Sequence, residues 1–241
     1  MLHRIIVVIV TDHVLVPEVT PKKAIMPTDD SEKISWFLSN FDDSSWPSGT
    51  KGSGYDSSNG RYQSIIDSSL NFGDQANSSE VETIYMRIKF DVNDPSIYDT
   101  LSLKVRYDDG FVAYINGTEV ARDRAGGSPG TPLAFNAQAS SSHTDSQAEK
   151  FKSFLISQHI DLLKEGSNVL AIQGLNVSAG SSDFLIDAAL DATEGIGGGN
   201  GGLSETANVY ERSILINEPE TMIKARVFSG CLLYTSDAAD E

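Results

Sequence analysis

Three segments of the sequence carry apolar residues at every second position, a spacing that only an extended strand turns into one apolar face. They cover residues 83–92, 101–107 and 183–190. Successive side chains of a strand point to opposite sides, so each segment gathers its apolar residues on a single side. The pattern predicts half-buried strands, with one face against the core and one face in water.

Two further segments, 111–115 and 168–175, are almost continuously apolar and are typical of buried strands. Asn116 and Gly117 follow the first of them and can adopt the two positive φ angles of a type I′ turn. Residues 118–122 would then return as the partner strand of a hairpin. The sequence contains no long amphipathic helix pattern, so the predicted fold class is all-β, a β-sandwich or jelly roll.

Charge, hydrophobicity and cysteine content exclude several classes of partner and of metal site for this chain. Lys and Arg total 18 against 34 Asp and Glu, and the formal net charge of −16 repels phosphate backbones and anionic lipid. Nucleic acid is therefore not an expected partner. No stretch approaches the roughly 20 apolar residues of a membrane helix, so membrane insertion is not expected. The only cysteine, Cys231, allows no disulfide framework and no thiolate metal site.

Glycine content and the two ends of the chain indicate how it is divided. The run GIGGGNGG is a flexible linker by composition, since glycine has the greatest backbone freedom to lose on folding. The first ten residues contain an apolar run that is too short for a signal peptide and lacks a small-residue cleavage site, so we expect an internal strand of a truncated chain. The predicted divisions are an uncertain N-terminal fragment at 1–13, a β-sandwich at 14–193, a linker at 194–202, a partial second β module at 203–230 and a terminal string at 231–241.

The order of four motifs resembles the galactose-binding-like β-sandwich, a module of large secreted planctomycete-type proteins. These proteins often carry lamin-tail and spore-coat-kinase-like (CotH-type) domains, and the module is similar to the sugar-binding domain of some β-galactosidases. The resemblance covers roughly residues 20–193 and implies a jelly-roll fold and an extracellular location. It rests on FDDSSW at 41–46, GSGYD at 52–56, YDDGFVAYINGTEVAR at 107–122 and GSNVLAIQGLN at 166–176.

The segment after the linker resembles the chitobiase or β-hexosaminidase C-terminal-like domain, a non-catalytic β-sandwich. The resemblance rests on VYERSI at 209–214 and TMIKARV at 221–227. The string CLLYTSDAADE at 231–241 resembles the translation of a sequencing adapter at the end of an unfinished metagenomic contig. We therefore leave this string out of the fold prediction.

Five residues are candidates for a binding site. Asp108 and Asp109 are neighbouring carboxylates, interpreted first as loop-shaping residues and alternatively as ligands of sugar hydroxyls or of Ca²⁺. Trp46 is interpreted first as a core residue and alternatively as a platform for a sugar ring. Tyr55 and Tyr62 belong to a loop rich in Gly, Ser and Asn, where an aromatic ring could stack on a pyranose.

The sequence does not predict an active site. There is no Gly-x-Ser-x-Gly elbow, and the four histidines lack metal-ligand spacing. Adjacent strand residues point to opposite faces, so Asp108 and Asp109 would not flank one glycosidic bond unless the chain turned between them. This fragment is therefore not expected to be an enzyme, the activity of its parent protein stays open, and Ca²⁺ is the one candidate cofactor.

Three functions are compatible with these observations. The leading hypothesis is a non-catalytic carbohydrate-binding or adhesion module of a larger extracellular protein. Its partners would be a polysaccharide or glycan and the other domains of the same parent chain. The alternatives are a structural spacer without a ligand and an ancillary domain of a glycoside hydrolase or other secreted enzyme.

Overall fold

The computed structural model describes residues 11–58, 60–73 and 82–194, and the backbone of two short strands outside these ranges. The strands, numbered in chain order, are β1 Val7–Val8, β2 Thr11–Val16, β3 Lys22–Ile25, β4 Ser48–Gly49, β5 Gly52–Asp56, β6 Ile66–Asn71, β7 Thr83–Val92, β8 Tyr98–Asp108, β9 Gly110–Ile115, β10 Thr118–Asp123, β11 Lys152–Leu155, β12 Gly166–Leu175, β13 Asp183–Glu194 and β14 Lys224–Ala225. The described residues include one α-turn, α1, at Asp145–Ala148 and 3₁₀ turns at Pro95–Ile97 and Ser157–Leu162.

Strands β2 to β13 form two six-stranded sheets. Sheet I has the order β10-β9-β12-β7-β3-β4, and sheet II has the order β11-β8-β13-β5-β6, with β2 also paired to β13. Neighbouring strands run antiparallel except for β5 and β6. From β7 to β9 the chain passes from sheet I to sheet II and back. The described residues therefore form an all-β sandwich, which confirms the predicted fold class.

The main core lies between the two sheets. Sheet I contributes the apolar residues of β7 and sheet II contributes those of β8 and β13, all of them buried. In β8 the buried residues alternate with half-buried ones, which confirms the one-sided strand predicted at 101–107. The residues that meet across the core include Ile84, Met86, Ile88, Leu103, Val105, Phe184, Ile186 and Leu190.

The prediction of one wet face was wrong for 183–190 and for the first half of 83–92, whereas Lys89 and Asp91 in the second half of β7 are exposed as predicted. In β7 the outward side chains of Tyr85 and Arg87 are buried, because the loop between β3 and β4 packs aromatic residues against the outer face of sheet I. In β13 every residue from Phe184 to Leu190 is buried, and Tyr62 belongs to the cluster that covers Leu185. Strand periodicity identifies the two faces of a strand, but a distant loop decides whether the second face meets water.

The hairpin predicted around Asn116 and Gly117 is confirmed. Strands β9 and β10 pair antiparallel on either side of these residues, whose φ angles are 50° and 95°. The side chain of Asn116 also donates hydrogen bonds of 2.8 Å to the Leu162 carbonyl and to Oδ1 of Asn168. The turn residue thus attaches the hairpin to the loop before β12.

The first and last strands of the described sandwich, β2 and β13, pair with each other in sheet II. Strand β2 begins at Thr11 and pairs with the end of β13 at Glu194. Outside the two sheets, β1 pairs antiparallel with β14. The predicted linker, the terminal string and most of the predicted second module lie outside the described residues. Among the helices of the described part of the chain, none is both long and apolar enough to cross a membrane.

Candidate functional site

The end of β8 carries the carboxylate pair that the sequence singled out. Asp108 is the last residue of β8 and pairs with Leu185 of β13, on the outer face of sheet II. The hydroxyl of Tyr62 donates a hydrogen bond of 3.2 Å to Oδ2 of Asp108. Asp109 follows between β8 and β9, and the peptide bond joining the two aspartates is cis. Both side chains are buried.

Asp109 connects two loops to the end of the sandwich. Its Oδ1 accepts the backbone N–H of His143 at 2.7 Å, and its Oδ2 accepts the backbone N–H of Val177 at 2.8 Å. Ring atom Nδ1 of His143 lies 2.8 Å from the carbonyl oxygen of Tyr107, so the same loop is held a second time. These bonds are those of a residue that fixes loop positions, the first of the two roles proposed for it.

The surroundings of Asp108 favour its protonated form. Burial, the neighbouring charge of Asp109 and the charge of Asp183 together raise the pKa of Asp108 to about 8. The hydrogen bond from Tyr62 acts in the opposite direction. A carboxyl group with this pKa is mostly neutral at pH 7.

The two candidate tyrosines lie beside this carboxylate pair and are buried. Tyr62 has 0% and Tyr55 has 4% of its surface exposed. Asn176 donates a hydrogen bond of 3.0 Å to the Tyr55 hydroxyl. Burial, opposed by this hydrogen bond, raises the pKa of Tyr55 to about 12. The fold thus brings Asp108, Asp109 and both tyrosines together, but neither ring offers an open face for a sugar.

Trp46 belongs to a different region of the molecule. It is 5% exposed and packs in the aromatic cluster outside sheet I. Its ring meets Phe41 edge to face, with 5.5 Å between the ring centroids. Burial of this kind is the core role that we considered first for Trp46.

Ca²⁺ has no evident position among these residues. A protein-bound Ca²⁺ takes about six to eight oxygen ligands. Both carboxylate oxygens of Asp109 already accept backbone N–H groups, and Asp108 is largely protonated at neutral pH. Within residues 11–58, 60–73 and 82–194, no group of three acidic, His or Cys side chains could hold a metal ion. The Ca²⁺ role of Asp108 and Asp109 therefore stays a prediction.

A pocket opens on the outer side of sheet I, beside β3, β4 and β7. Its volume is about 210 Å³. It is lined by Pro21, Lys23, Asp43, Ser48, Arg87 and Lys89, and we call it the Asp43 pocket. Register explains this grouping, because Lys23 of β3 pairs with both Ser48 of β4 and Arg87 of β7. Lys89 lies two residues further along β7, on the same face.

Asp43 is the centre of this pocket. Its Oδ2 accepts Nε of Arg87 at 2.8 Å, and its Oδ1 accepts Nζ of Lys89 at 2.9 Å. Nζ of Lys23 donates to the Asp43 carbonyl oxygen at 2.6 Å and lies 3.6 Å from Oδ1. Although burial opposes ionisation, the hydrogen bonds from Arg87 and Lys89 lower the pKa of Asp43 below its ordinary value.

Arg87 fixes the loop that forms one wall of the pocket. Besides Asp43, its guanidinium donates to the carbonyl oxygens of Trp36, Leu38 and Phe41. A planar group with several fixed N–H donors can hold all these acceptors at once. Asp43 and Arg87 are therefore structural parts of the pocket, and the two lysines are its solvent-facing parts.

Sequence reasoning did not find this pocket. Asp43 belongs to the motif FDDSSW, and Arg87 and Lys89 fall on the face of 83–92 that the alternation predicts to be wet. Within the motif, Asp42 closes a turn, since its Oδ1 accepts the backbone N–H of Ser44 at 3.0 Å. Asp43 is separated from Arg87 by 44 positions, and no local pattern links the two. The one available signal was a basic pair, Arg87 and Lys89, at strand spacing in an acidic chain.

The fold defines the chain as a β-sandwich protein. No protein-family model matches the chain, and no curated protein matches it. Among solved structures, a Bacteroides uniformis β-glucuronidase matches 76% of this chain and 18% of its own length, at 16% identity and a TM-score of 0.44. A β-glucuronidase from an uncultured Clostridium sp. matches 80% of this chain and 31% of its own, at 14% identity and a TM-score of 0.45.

A β-D-mannosidase from Dictyoglomus thermophilum matches 68% of this chain and 16% of its own, at 15% identity and a TM-score of 0.33. The chain thus spans less than a third of the length of each of these larger proteins. The similarity describes the course of the backbone only.

Proposed function

We propose that this β-sandwich is a non-catalytic module that binds polysaccharide and belongs to a larger extracellular protein. The observation that carries the proposal is the Asp43 pocket, which offers the ammonium groups of Lys23 and Lys89 and the hydroxyl of Ser48 on the outside of sheet I. Sugars are recognised by such groups, because each hydroxyl of a sugar both donates and accepts hydrogen bonds. The resemblance of the sequence to galactose-binding-like modules supports the same function.

We propose no catalytic role for the carboxylate pair in this fragment. Glycoside hydrolysis needs one carboxyl group on each side of the scissile bond, with both accessible to the substrate. Asp108 and Asp109 are buried and bonded to Tyr62 and to backbone N–H groups. Turnover of a glycoside or ester by the 241-residue chain, with loss of turnover in Asp108→Ala, would overturn this part of the proposal.

Affinity gel electrophoresis of the whole 241-residue chain tests the binding function. The gels contain xylan, galactan, dextran, polygalacturonate or alginate, and each is run with and without Ca²⁺. Retardation by at least one polysaccharide is expected, and its weakening in Lys89→Gln but not in Lys164→Gln would assign it to the pocket. Lys164 is a suitable control because it is exposed and does not line the pocket. No retardation in any gel would overturn the proposal.

A structural spacer without a ligand is the second candidate. The observation that favours it is the burial of Trp46, Tyr55 and Tyr62, the three aromatic side chains considered for sugar stacking. Each of them serves the packing of the sandwich in the described structure. Absence of binding in all gels would favour this candidate over the first.

An ancillary module of a glycoside hydrolase is the third candidate, and it concerns the parent protein. The solved structures with a similar backbone are glycoside hydrolases by their names, a β-glucuronidase and a β-D-mannosidase among them. Their likeness to this chain extends to the fold alone. Sequencing of the complete gene tests this candidate, and a complete gene without a hydrolase domain would overturn it.

A further inference from the structure

The Asp43 pocket differs in charge from the rest of the chain. Three cationic side chains, those of Lys23, Arg87 and Lys89, surround the single carboxylate of Asp43. One negative charge cannot balance three positive charges, so the lining of the pocket keeps a local positive excess. The chain as a whole has a formal net charge of −16. The neighbouring acid, Asp42, bonds to the backbone of Ser44 and does not line the pocket. Its charge interacts with Lys23, so it reduces the positive excess, but two carboxylates still do not balance three cations.

The excess charge is directed outward. The side chains of Arg87 and Asp43 are 0% and 4% exposed, whereas those of Lys23 and Lys89 are 29% and 56% exposed. Each lysine ammonium has three N–H donors and needs only part of them for Asp43. The buried pair therefore holds two ammonium groups at the rim, and the exposed parts of these groups face solvent.

We propose that the ligand of this pocket is an acidic polysaccharide, bound through an anionic substituent, a carboxylate or a sulfate ester, between Lys23 and Lys89. This inference rests on the polysaccharide-binding function proposed above and names its ligand class. An anionic oxygen forms charge-assisted hydrogen bonds with ammonium groups, about twice as strong as neutral ones. Because the rest of the protein is acidic, we expect one charged sugar residue of the polysaccharide to occupy the pocket, while the rest of the polysaccharide makes few contacts with the protein.

The test compares sugars that share one backbone. Binding of the whole chain to dextran, carboxymethyl-dextran and dextran sulfate is measured by isothermal titration calorimetry, with polygalacturonate as a fourth probe. Tighter binding to charged probes than to dextran is expected, and it should weaken as NaCl is raised because salt screens exposed charges. Carboxymethyl-dextran and dextran sulfate distinguish a carboxylate from a sulfate as the preferred group.

Two variants of equal charge locate the binding. Lys23→Gln/Lys89→Gln removes both rim ammonium groups, and we expect its dissociation constant for charged probes to rise at least about tenfold. Lys150→Gln/Lys164→Gln removes two exposed charges outside the pocket and should bind like the unaltered chain. Circular dichroism melts of both variants verify that they are folded.

The outcomes separate this inference from the function on which it rests. Binding of dextran and its charged derivatives with equal affinity would overturn the anionic ligand but leave polysaccharide binding intact. If both double variants bound the charged probes equally more weakly than the unaltered chain, the Asp43 pocket would not be the binding site, since the effect would come from overall charge. Absence of binding to every probe, neutral polysaccharides included, would overturn both proposals.

Discussion

Replacing Asp108 by Asn should make the protein more stable at neutral pH. Asp108 is buried beside Asp109 and Asp183, and burial followed by these two charges raises its pKa from 3.8 to about 8. An amide resembles the protonated carboxyl group in shape, and its oxygen can still accept the Tyr62 hydroxyl. The variant therefore keeps the contact and removes the titration.

The sign of the effect follows from the two pKa values. Below pH 3.8 Asp108 is protonated in both the folded and the unfolded chain, so its raised pKa does not lower the free energy of unfolding. As the pH rises toward about 8, the unfolded chain ionises while the folded chain retains its proton, and stability is lost. The loss is about 1.4 kcal/mol per pH unit, or about 2.7 kcal/mol between pH 5 and pH 7.

Asp108→Asn does not undergo this loss. The difference in unfolding free energy between Asp108→Asn and the unaltered chain should therefore increase by about 2.7 kcal/mol from pH 5 to pH 7, in favour of the variant. For a domain of this size that corresponds to about 5–10 °C in the midpoint of thermal unfolding. Acids with lowered pKa, such as Asp43 and Asp123, change stability at lower pH and are present in both proteins.

Urea unfolding curves, recorded by circular dichroism at several pH values, measure the difference in unfolding free energy between the two proteins. Asp161→Asn is the control, because Asp161 is exposed and its carboxylate is solvated in the folded chain. A difference for Asp108→Asn that stays constant from pH 5 to pH 7 would refute the reasoning. It would mean that Asp108 ionises as readily in the folded protein as in the unfolded chain.

Three further predictions concern the framework, and urea unfolding measures each. Arg87→Met should lower the unfolding free energy by about 3–5 kcal/mol, because it removes the buried partner of the Asp43 carboxylate and the donors to three carbonyl oxygens. Arg87→Lys should recover little of this loss, and full stability of Arg87→Lys would contradict the guanidinium network. Lys22 of sheet I donates a hydrogen bond of 2.5 Å to Asp187 of sheet II, so Lys22→Met should lower the unfolding free energy by about 3–5 kcal/mol. The double variant Lys22→Met/Asp187→Leu should lose much less, because it leaves no unpaired charge at this position. If the losses of the two single substitutions added up in the double variant, the pairing would be disproved. Gly54→Ala would place Cβ 1.9 Å from a backbone oxygen of β13 and should lower the unfolding free energy by about 3 kcal/mol or more. In Gly126→Ala the new Cβ meets no atom within 4 Å, so the unfolding free energy should change by less than about 0.5 kcal/mol. Equal effects of the two substitutions would contradict the close approach at Gly54.

Much of the strand arrangement could be predicted because it is encoded locally. The alternation at 101–107 and the apolar run before Asn116 predicted β8 and the β9–β10 hairpin correctly. Side-chain direction in a strand repeats every two residues, and a type I′ turn needs two residues that tolerate positive φ. Both properties can be recognised in a few consecutive residues without knowledge of the rest of the chain.

The candidate site could be predicted only in part. The motif containing Asp108 and Asp109 drew attention to a real structural feature, and the bonds of Asp109 to two loops agree with the role considered first. Their burial depends on Tyr62, 46 positions away from Asp108, and on loops that arrive from later in the sequence. The raised pKa of Asp108 is a property of that enclosure, so no reading of neighbouring residues could supply it.

The acidity of the chain and its division into strands of a β-sandwich follow from the sequence by itself, because period-two apolar patterns and turn residues act over short distances. Only the tertiary structure decided that Tyr85 and Arg87 on the outward face of β7 are covered and that Asp43 meets Lys23, Arg87 and Lys89. Periodicity states which residues share a face of a strand. The segment that packs on that face, and the charge it brings, depend on contacts between parts of the chain that only folding brings together.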